Sequence, residues 1–296
     1  HNATTPLAPE VLESMLPLYR EGFGNPSSVH SEGRRARVRL DEAREQVAAL
    51  IGAEPGEIVF TSGGTESDNF AISGVALAPG QQKRHIVTCE IEHSAVLNPL
   101  QQIEGLGYRV ERLPVDRYGC VDPERVRNAL TDSTILVTIQ HANSEVGTLQ
   151  DIERIGEIVR ERGILFHTDA VQSVGKIPVD VKSLPVDLLS LSAHKLYGPK
   201  GAGALFIRRG TPPLFSPICG GGQEKKRRGG TENVAGVVGF GKACQLAAER
   251  LNRGEAERMK KMRDGLWGRI QRSIPGAELF GDPNNRLPNT LGCGFE

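Results

Sequence analysis

The sequence has no excess of charge of either sign: Lys+Arg and Asp+Glu both number 36. That balance supplies no general field for nucleic acid or an anionic membrane surface, and neither is expected as a partner. No apolar run reaches transmembrane length, and the first residues do not read as a signal peptide. The five cysteines (Cys89, Cys120, Cys219, Cys244 and Cys293) are scattered, odd in number and without a CxxC pair. Neither a disulfide framework nor a zinc knuckle is indicated, and no metal site is expected. A reducing cytoplasm fits this usage, and there the Asn2-Ala3-Thr4 sequon has no glycan meaning. Internal repeats and low-complexity segments are also missing. What is present is an ordinary globular composition, 38% hydrophobic and 24% charged over 296 residues. That length suits one large domain plus part of a second.

Strand and helix patterns alternate along most of the chain. Short apolar runs at 57–61, 85–88, 108–113, 134–139, 164–167, 187–191 and 204–208 read as seven strands. Between most of them lie helical stretches with recognisable ends. Asp122 precedes Pro123 as a cap, and Asp151 opens a helix that Gly163 closes. Ala36, Leu40, Ala43, Val47 and Leu50 recur at helical spacing in the stretch 31–51. A late helix is expected from about Ala235 through to Gln271, and 273–296 reads as the opening of a further small α/β unit. The fold class is therefore α/β, with a seven-stranded, mostly parallel sheet between helices. The chain opens at His1 without an initiator methionine and stops at Glu296 in what reads as mid-strand, so both ends read as cut.

In an open α/β sheet, ligands sit beyond the carboxyl ends of the strands. Five strands here end in polar, chemically capable residues. Ser62-Gly63-Gly64-Thr65 opens a helix, where backbone N–H groups, the helix dipole and the Thr65 hydroxyl could cradle a phosphate. It is not a Walker loop, which needs a following Lys-Ser/Thr. His93 follows the second strand and could stack on a flat ring, or simply cap the helix at Ser94. Asn143 follows the 134–139 strand. Asp169, between apolar Phe166 and Val171, would need a cationic partner if buried, such as a pyridinium nitrogen; Gln172 follows it. Ser192, His194 and Lys195 end the 187–191 strand, and Gly198-Pro199 stops a helix from following directly. A lysine just past a buried strand can keep the free amine that Schiff-base chemistry needs. Taken singly, each of these is a turn, cap or loop residue. The chemistry that uses all of them together is that of pyridoxal 5′-phosphate.

At this point the chain resembles a family. Asn2-Ala3-Thr4-Thr5-Pro6, Gly24-Asn25-Pro26-Ser27-Ser28-Val29-His30, Thr61-Ser62-Gly63-Gly64-Thr65-Glu66-Ser67, Glu92-His93-Ser94-Ala95, His141-Ala142-Asn143-Ser144-Glu145-Val146-Gly147, His167-Thr168-Asp169-Ala170-Val171-Gln172, Ser192-Ala193-His194-Lys195-Leu196-Tyr197-Gly198-Pro199-Lys200-Gly201 and Arg228-Gly229-Gly230-Thr231-Glu232-Asn233 are similar, in order, to the cysteine desulfurases of the NifS/IscS group. These are class V, fold-type I pyridoxal phosphate enzymes. The resemblance implies that Lys195 carries the cofactor and that His93 stacks on its ring and shuttles protons. It implies that Asp169 holds the ring nitrogen protonated and that Gln172 bonds the phenolic oxygen. Gly64, Thr65, Ser192 and His194 would hold the phosphate, and Asn143 would help orient the substrate carboxylate. Thr231 would reach the phosphate of a partner subunit in a homodimer. L-cysteine would be the substrate, and an iron–sulfur scaffold or another sulfur-acceptor protein the partner. The implied division is an N-terminal segment 1–14 packing with the small domain, a large cofactor-binding domain 15–250, and the start of a C-terminal small domain 251–296.

One departure stands out. The family's persulfide-forming cysteine lies in a small-residue Gly-Ser-(Ala)-Cys-Ser-Ser-Gly loop, which does not occur here. The resemblance places that loop, and an arginine for the substrate carboxylate, C-terminal to Glu296. Cys219, beside Gly220-Gly221-Gly222-Gln223, is nearest to a site segment and still reads as structural. Other readings compete. Ser192-Ala193-His194-Lys195 matches S-x-x-K and Ser67-Asp68-Asn69 matches S-D-N, but their order is reversed and K-T-G is missing, which argues against a serine hydrolase. A non-catalytic dimeric fragment, a selenocysteine lyase or another class V aminotransferase-like enzyme are the remaining alternatives.

Overall fold

Continuous apolar runs bounded by glycine and polar turns give strands buried on both faces, and this decides the architecture. The computed structural model describes residues 1–295. Its main sheet has seven strands: β1 (Ile58–Thr61), β2 (His85–Cys89), β3 (Arg109–Leu113), β4 (Thr134–Thr138), β5 (Leu165–Asp169), β6 (Leu188–Ser192) and β7 (Gly203–Ile207). They lie in the order β1-β7-β6-β5-β4-β2-β3, and only β7 runs antiparallel to its neighbours. The chain steps outward from β2 to the edge strand β3, then returns to β4 and continues through β5 and β6. A crevice therefore opens between the carboxyl ends of β2 and β4, where such sheets bind ligands. The edge strand β3 carries Arg109, Glu111 and Arg112, charges that discourage edge-to-edge pairing.

Two apolar clusters cover the two faces. On one, α3 (Gly64–Ala76) and α4 (Ser94–Gly105) bury Phe70, Ile72 and Leu100 against Val59, Ile86, Leu136 and Leu205. On the other lie α2 (Ser31–Leu50), α5 (Pro123–Ala129) and α6 (Ile152–Glu161), with α8 (Val234–Asn252) beside α2. There Leu40, Val47, Ile155 and Phe240 join Phe60, Val87, Val137, Phe166 and Phe206 in one cluster. Val59 and Phe60 go to opposite clusters, as do Ile86 and Val87, which is the two-residue alternation of a strand with both faces dry. α1 (Pro9–Arg20) packs on α8. The caps fall where the sequence puts them: Asp122 accepts the N–H of Glu124, and Asp151 that of Arg154.

The expected long helix from Ala235 to Gln271 is two helices. α8 ends at Asn252 and α9 (Glu255–Ser273) begins after Gly254, which sits at φ +79°. A residue in that left-handed region terminates a helix, and glycine adopts it at no steric cost. Beyond α9, β8 (Glu278–Phe280) and β9 (Gly292–Gly294) form an antiparallel pair. Among the described residues no helix is long and apolar enough to cross a membrane, and no cluster of three metal-ligating side chains occurs.

The short turn α7 (Gln223–Lys226) precedes the 227–233 loop, and Glu224, Lys225 and Lys226 all have positive φ. Strain of that kind persists only where the surroundings enforce it. Glu224 does so here. Its buried carboxylate accepts Arg44 Nη1 at 2.8 Å, Arg44 Nη2 at 2.6 Å and the Phe60 N–H at 3.0 Å, tying the turn to α2 and β1. Glu224→Ala strands the Arg44 charge in the interior and should cost about 3–5 kcal/mol of stability. Urea unfolding measures this; a loss below about 1 kcal/mol would show that the clamp contributes little beyond a surface pair.

Candidate active site

Eight of the ten residues singled out from the sequence line one cavity of about 200 Å³: Gly64, Thr65, His93, Asp169, Gln172, Ser192, His194 and Lys195. They come from the ends of β1, β2, β5 and β6, and the loop after β4 adds Gln140, Ala142 and Ser144.

The first wall is the N-terminus of α3. Gly63 holds φ +154° and ψ −176°, a conformation open essentially only to glycine, and brings the chain sharply from β1 into the helix. A Cβ on Gly64 would lie 2.8 Å from Val171 Cγ2, so side-chain bulk is excluded beside the helix's free N–H groups. Across from them, Ser192 Oγ is buried without a hydrogen-bond partner. An unpaired buried hydroxyl beside a helix N-terminus is a place for an anion.

The opposite side is acidic and basic at once. Asp169 ends β5 and accepts the Val171 N–H at 2.9 Å. Burial pushes its carboxyl up, against the pull of that N–H and of His93 and Lys195. Lys195 ends a single 3₁₀ turn after β6, and its Nζ donates to the Ala3 carbonyl at 2.9 Å and to that of Asn2. Burial holds its amine below the usual lysine range, while Asp169 and Glu145 act in the other direction. His93 both caps α4 and faces the cavity. Its Nδ1 accepts the Ala95 N–H at 3.1 Å, which leaves the proton on Nε2. His194 Nδ1 meets the Thr4 hydroxyl at 3.1 Å. Gln172 Nε2 donates to the Asn2 carbonyl at 3.0 Å, and Lys176 Nζ donates to Gln172 Oε1 at 2.7 Å, which fixes the orientation of the amide. Burial first, and Lys195 second, pull Lys176 down to about 7.

The other two of the ten lie off this cavity; for Thr231 the expected place is the phosphate of a partner subunit. Asn143 is buried, but its Oδ1 accepts the N–H groups of Glu145 and Val146, and its Nδ2 reaches the Ile91 carbonyl at 3.4 Å. It shapes the loop that carries Ala142 and Ser144 and is not itself on the cavity wall. Thr231 is exposed in the 227–233 loop and does not line this cavity.

Two acids on or beside the wall are not among the residues singled out from the sequence as a site. Asp68 lines the cavity from α3. Glu92, next to His93, accepts the Gln140 N–H at 2.7 Å and the Cys89 S–H at 3.1 Å, and burial lifts it to about 8. None of the five cysteines lines the cavity. Cys89 and Cys244 are buried and Cys219 is exposed, its Sγ 3.5 Å from the Ser216 carbonyl.

The donor set fits pyridoxal phosphate. The α3 N-terminus and the unpaired Ser192 hydroxyl suit its phosphate, Asp169 its ring nitrogen, and Lys195 its carbonyl carbon.

A fold of this order, with a lysine and an acid on adjacent strand ends, defines a class of pyridoxal phosphate enzyme, and the comparisons with known proteins agree. The aminotransferase class-V family model matches residues 1–296. The chain belongs to that family and, within it, to the cysteine desulfurases of the IscS/NifS group. It is 52% identical over 293 residues to the cysteine desulfurase IscS of Dictyoglomus turgidum, covering 99% of this chain and 74% of that protein. The IscS of Methanosarcina thermophila is 50% identical over 297 residues, covering 100% of this chain and 72% of the relative. Among solved structures, a NifS-like protein superposes with a TM-score of 0.95 at 42% identity, over 99% of this chain and 80% of that one. A structure of SspA in complex with cysteine gives 0.90 at 39% identity, over 100% and 82%.

Proposed function

We propose that this protein is a pyridoxal phosphate-dependent cysteine desulfurase that takes the sulfur of L-cysteine and leaves L-alanine. The observation that carries the reading is the placement of Lys195 and Asp169 on adjacent strand ends, in one cavity with the α3 N-terminus. When bound, the cofactor supplies an electron sink next to the substrate amine. The chain's own residues do the rest. Lys195 would hold the cofactor through Nζ. Asp169 would present its carboxylate to the ring nitrogen, and Gln172 would donate from Nε2 to the phenolic oxygen. Thr65, Ser192, His194 and the backbone at Gly64 would bind the phosphate. His93, which faces the cavity, would stack on the ring and move a proton at Nε2. Asn143 acts through its loop, which sets Ala142 and Ser144 against the substrate side.

Sulfur then passes to a cysteine persulfide and to an acceptor such as an iron–sulfur scaffold protein, or into tRNA thiolation, in the cytoplasm. Thr231, exposed beside Arg227 and Arg228, completes the site of a second copy in a homodimer. Gly229 and Gly230 just before it allow close backbone approach, and arginines suit an anion. The test is direct. The purified protein should elute as a dimer and acquire a visible absorption band with pyridoxal phosphate, and L-cysteine should perturb that band. Thr231→Ala should loosen cofactor retention. A protein that stays colourless overturns the reading, and one that retains cofactor equally well as a monomer overturns the shared site.

A further inference from the structure

The cavity holds one more acid than these roles use. Asp68 lies four residues past Gly64 on α3, on the cavity wall and only 1% exposed. Its Oδ1 has no hydrogen-bond partner. His167 Nε2, on β5, stands 3.6 Å from that oxygen, but His167 is no cation. Burial pulls it down to about 3, and its two ring nitrogens are taken by the hydroxyls of Thr138 at 2.8 Å and Ser190 at 3.0 Å. A neutral imidazole cannot balance a carboxylate.

His93, His194 and Lys195 line the same cavity, but the charges that act on Asp68 are those of acids: Asp169 from β5 and Glu92 from the turn before α4. Burial and the charge of Asp169 push Asp68 well up, and only the Ser190 hydroxyl acts against them. Asp169 is better served. His93, Lys195 and the Val171 N–H all favour its charged form. Two carboxylates held in one cavity resist ionising together, and the proton goes to the one on which neither Lys195 nor His93 acts.

We propose that Asp68 is a positioning residue for Asp169: it stays protonated at neutral pH, so that the pair carries a single negative charge and that charge sits on Asp169. The purpose of this arrangement rests on the role given to Asp169 above. A second ionised carboxylate would compete for the same proton at the ring nitrogen. A neutral Asp68 leaves Asp169 as the one anionic oxygen group there.

The test is Asp68→Asn, which keeps the shape and removes the titration. An acid whose folded value is raised costs nothing below its unfolded value of about 4, and costs progressively more as pH rises toward the folded value. The wild-type protein should therefore lose thermal stability across that window relative to the variant. The gap should widen by about 2–4 °C in Tm per pH unit while the group titrates. Parallel curves, or a variant less stable by a constant margin, would mean Asp68 is merely structural. A second measurement does not depend on that variant folding. In Glu92→Gln at pH 7, infrared spectroscopy should still show a protonated-carboxyl stretch, and its loss overturns the proposal. Borohydride labelling of Lys195 with pyridoxal phosphate is run in parallel. Labelling with parallel stability curves removes the Asp68 proposal alone. A widening gap without labelling keeps the shared proton and removes the purpose given to it.

Discussion

Lys195→Ala should abolish the covalent, borohydride-reducible attachment of pyridoxal phosphate. Geometry selects the lysine where electrostatics alone would not. Two lysines lie near the cavity, and Lys176, at about 7, has the larger neutral fraction at physiological pH. Population alone would favour Lys176. But its Nζ is engaged by Gln172, and it faces an adjoining cavity on the far side of Lys195, lined also by Tyr197, Arg250 and Met259. Lys195 shares its cavity with Asp169, Ser192 and the α3 N-terminus, so only its amine meets a carbonyl whose phosphate and ring are already held. Mass mapping after reduction should place the whole adduct on the peptide containing residue 195. An adduct on Lys176, or one that persists in Lys195→Ala, would refute the assignment.

The second large effect concerns sulfur. The polypeptide 1–296, loaded with pyridoxal phosphate, should respond to L-cysteine in its spectrum without forming persulfide on any of its own five thiols. Carbon–sulfur cleavage needs a thiolate at the substrate sulfur, and positioning of that kind contributes about 7–11 kcal/mol. None of these cysteines can supply it. Cys244 is fully buried and pushed far up, and Cys89 is buried and bonded to Glu92. Cys120 is lifted to about 11 by burial, then Asp116 and Asp282, which leaves about one thiolate in 10⁴ at neutral pH. Cys219 and Cys293 are more accessible but do not reach the cavity wall. Alanine formation should therefore be at least about 10⁵-fold slower than in a protein carrying the family's cysteine loop. Alanine analysis and thiol mapping decide it; a persulfide on Cys219 would identify a nucleophile that this geometry excludes.

Strand ends are legible from sequence because an apolar run that stops at a polar cluster marks both the strand and its direction. That is why β1, β2, β4, β5 and β6 could be located together with the residues they deliver. Asp68 enters the sequence reading only as the middle of Ser67-Asp68-Asn69, because Thr65-Glu66-Ser67-Asp68-Asn69 has the polarity of a solvated helix face. Helical phase was the available signal: Asp68 leads the stripe Ala71, Ile72 and Val75, all buried. Glu92 offered no such sign, since its burial depends on Gln140 arriving from the loop after β4. For Asn143 the sequence shows an amide in a loop, and only the fold tells whether that amide serves a ligand or its own turn. The break at Gly254 was readable in principle, because glycine followed by Glu255 can end one helix and begin another.

The lid over Lys195 also has a consequence for how the protein is made. Thr5 is bonded to the His194 carbonyl across 189 residues, and Asn2 to Thr290 across 288. A ribosome makes residues 2–5 well before residues 194 and 290, so this segment has no seat until those later stretches exist, and its closure over the lysine is a long-range event. Until it closes, the reactive amine is open to carbonyl compounds in the surroundings.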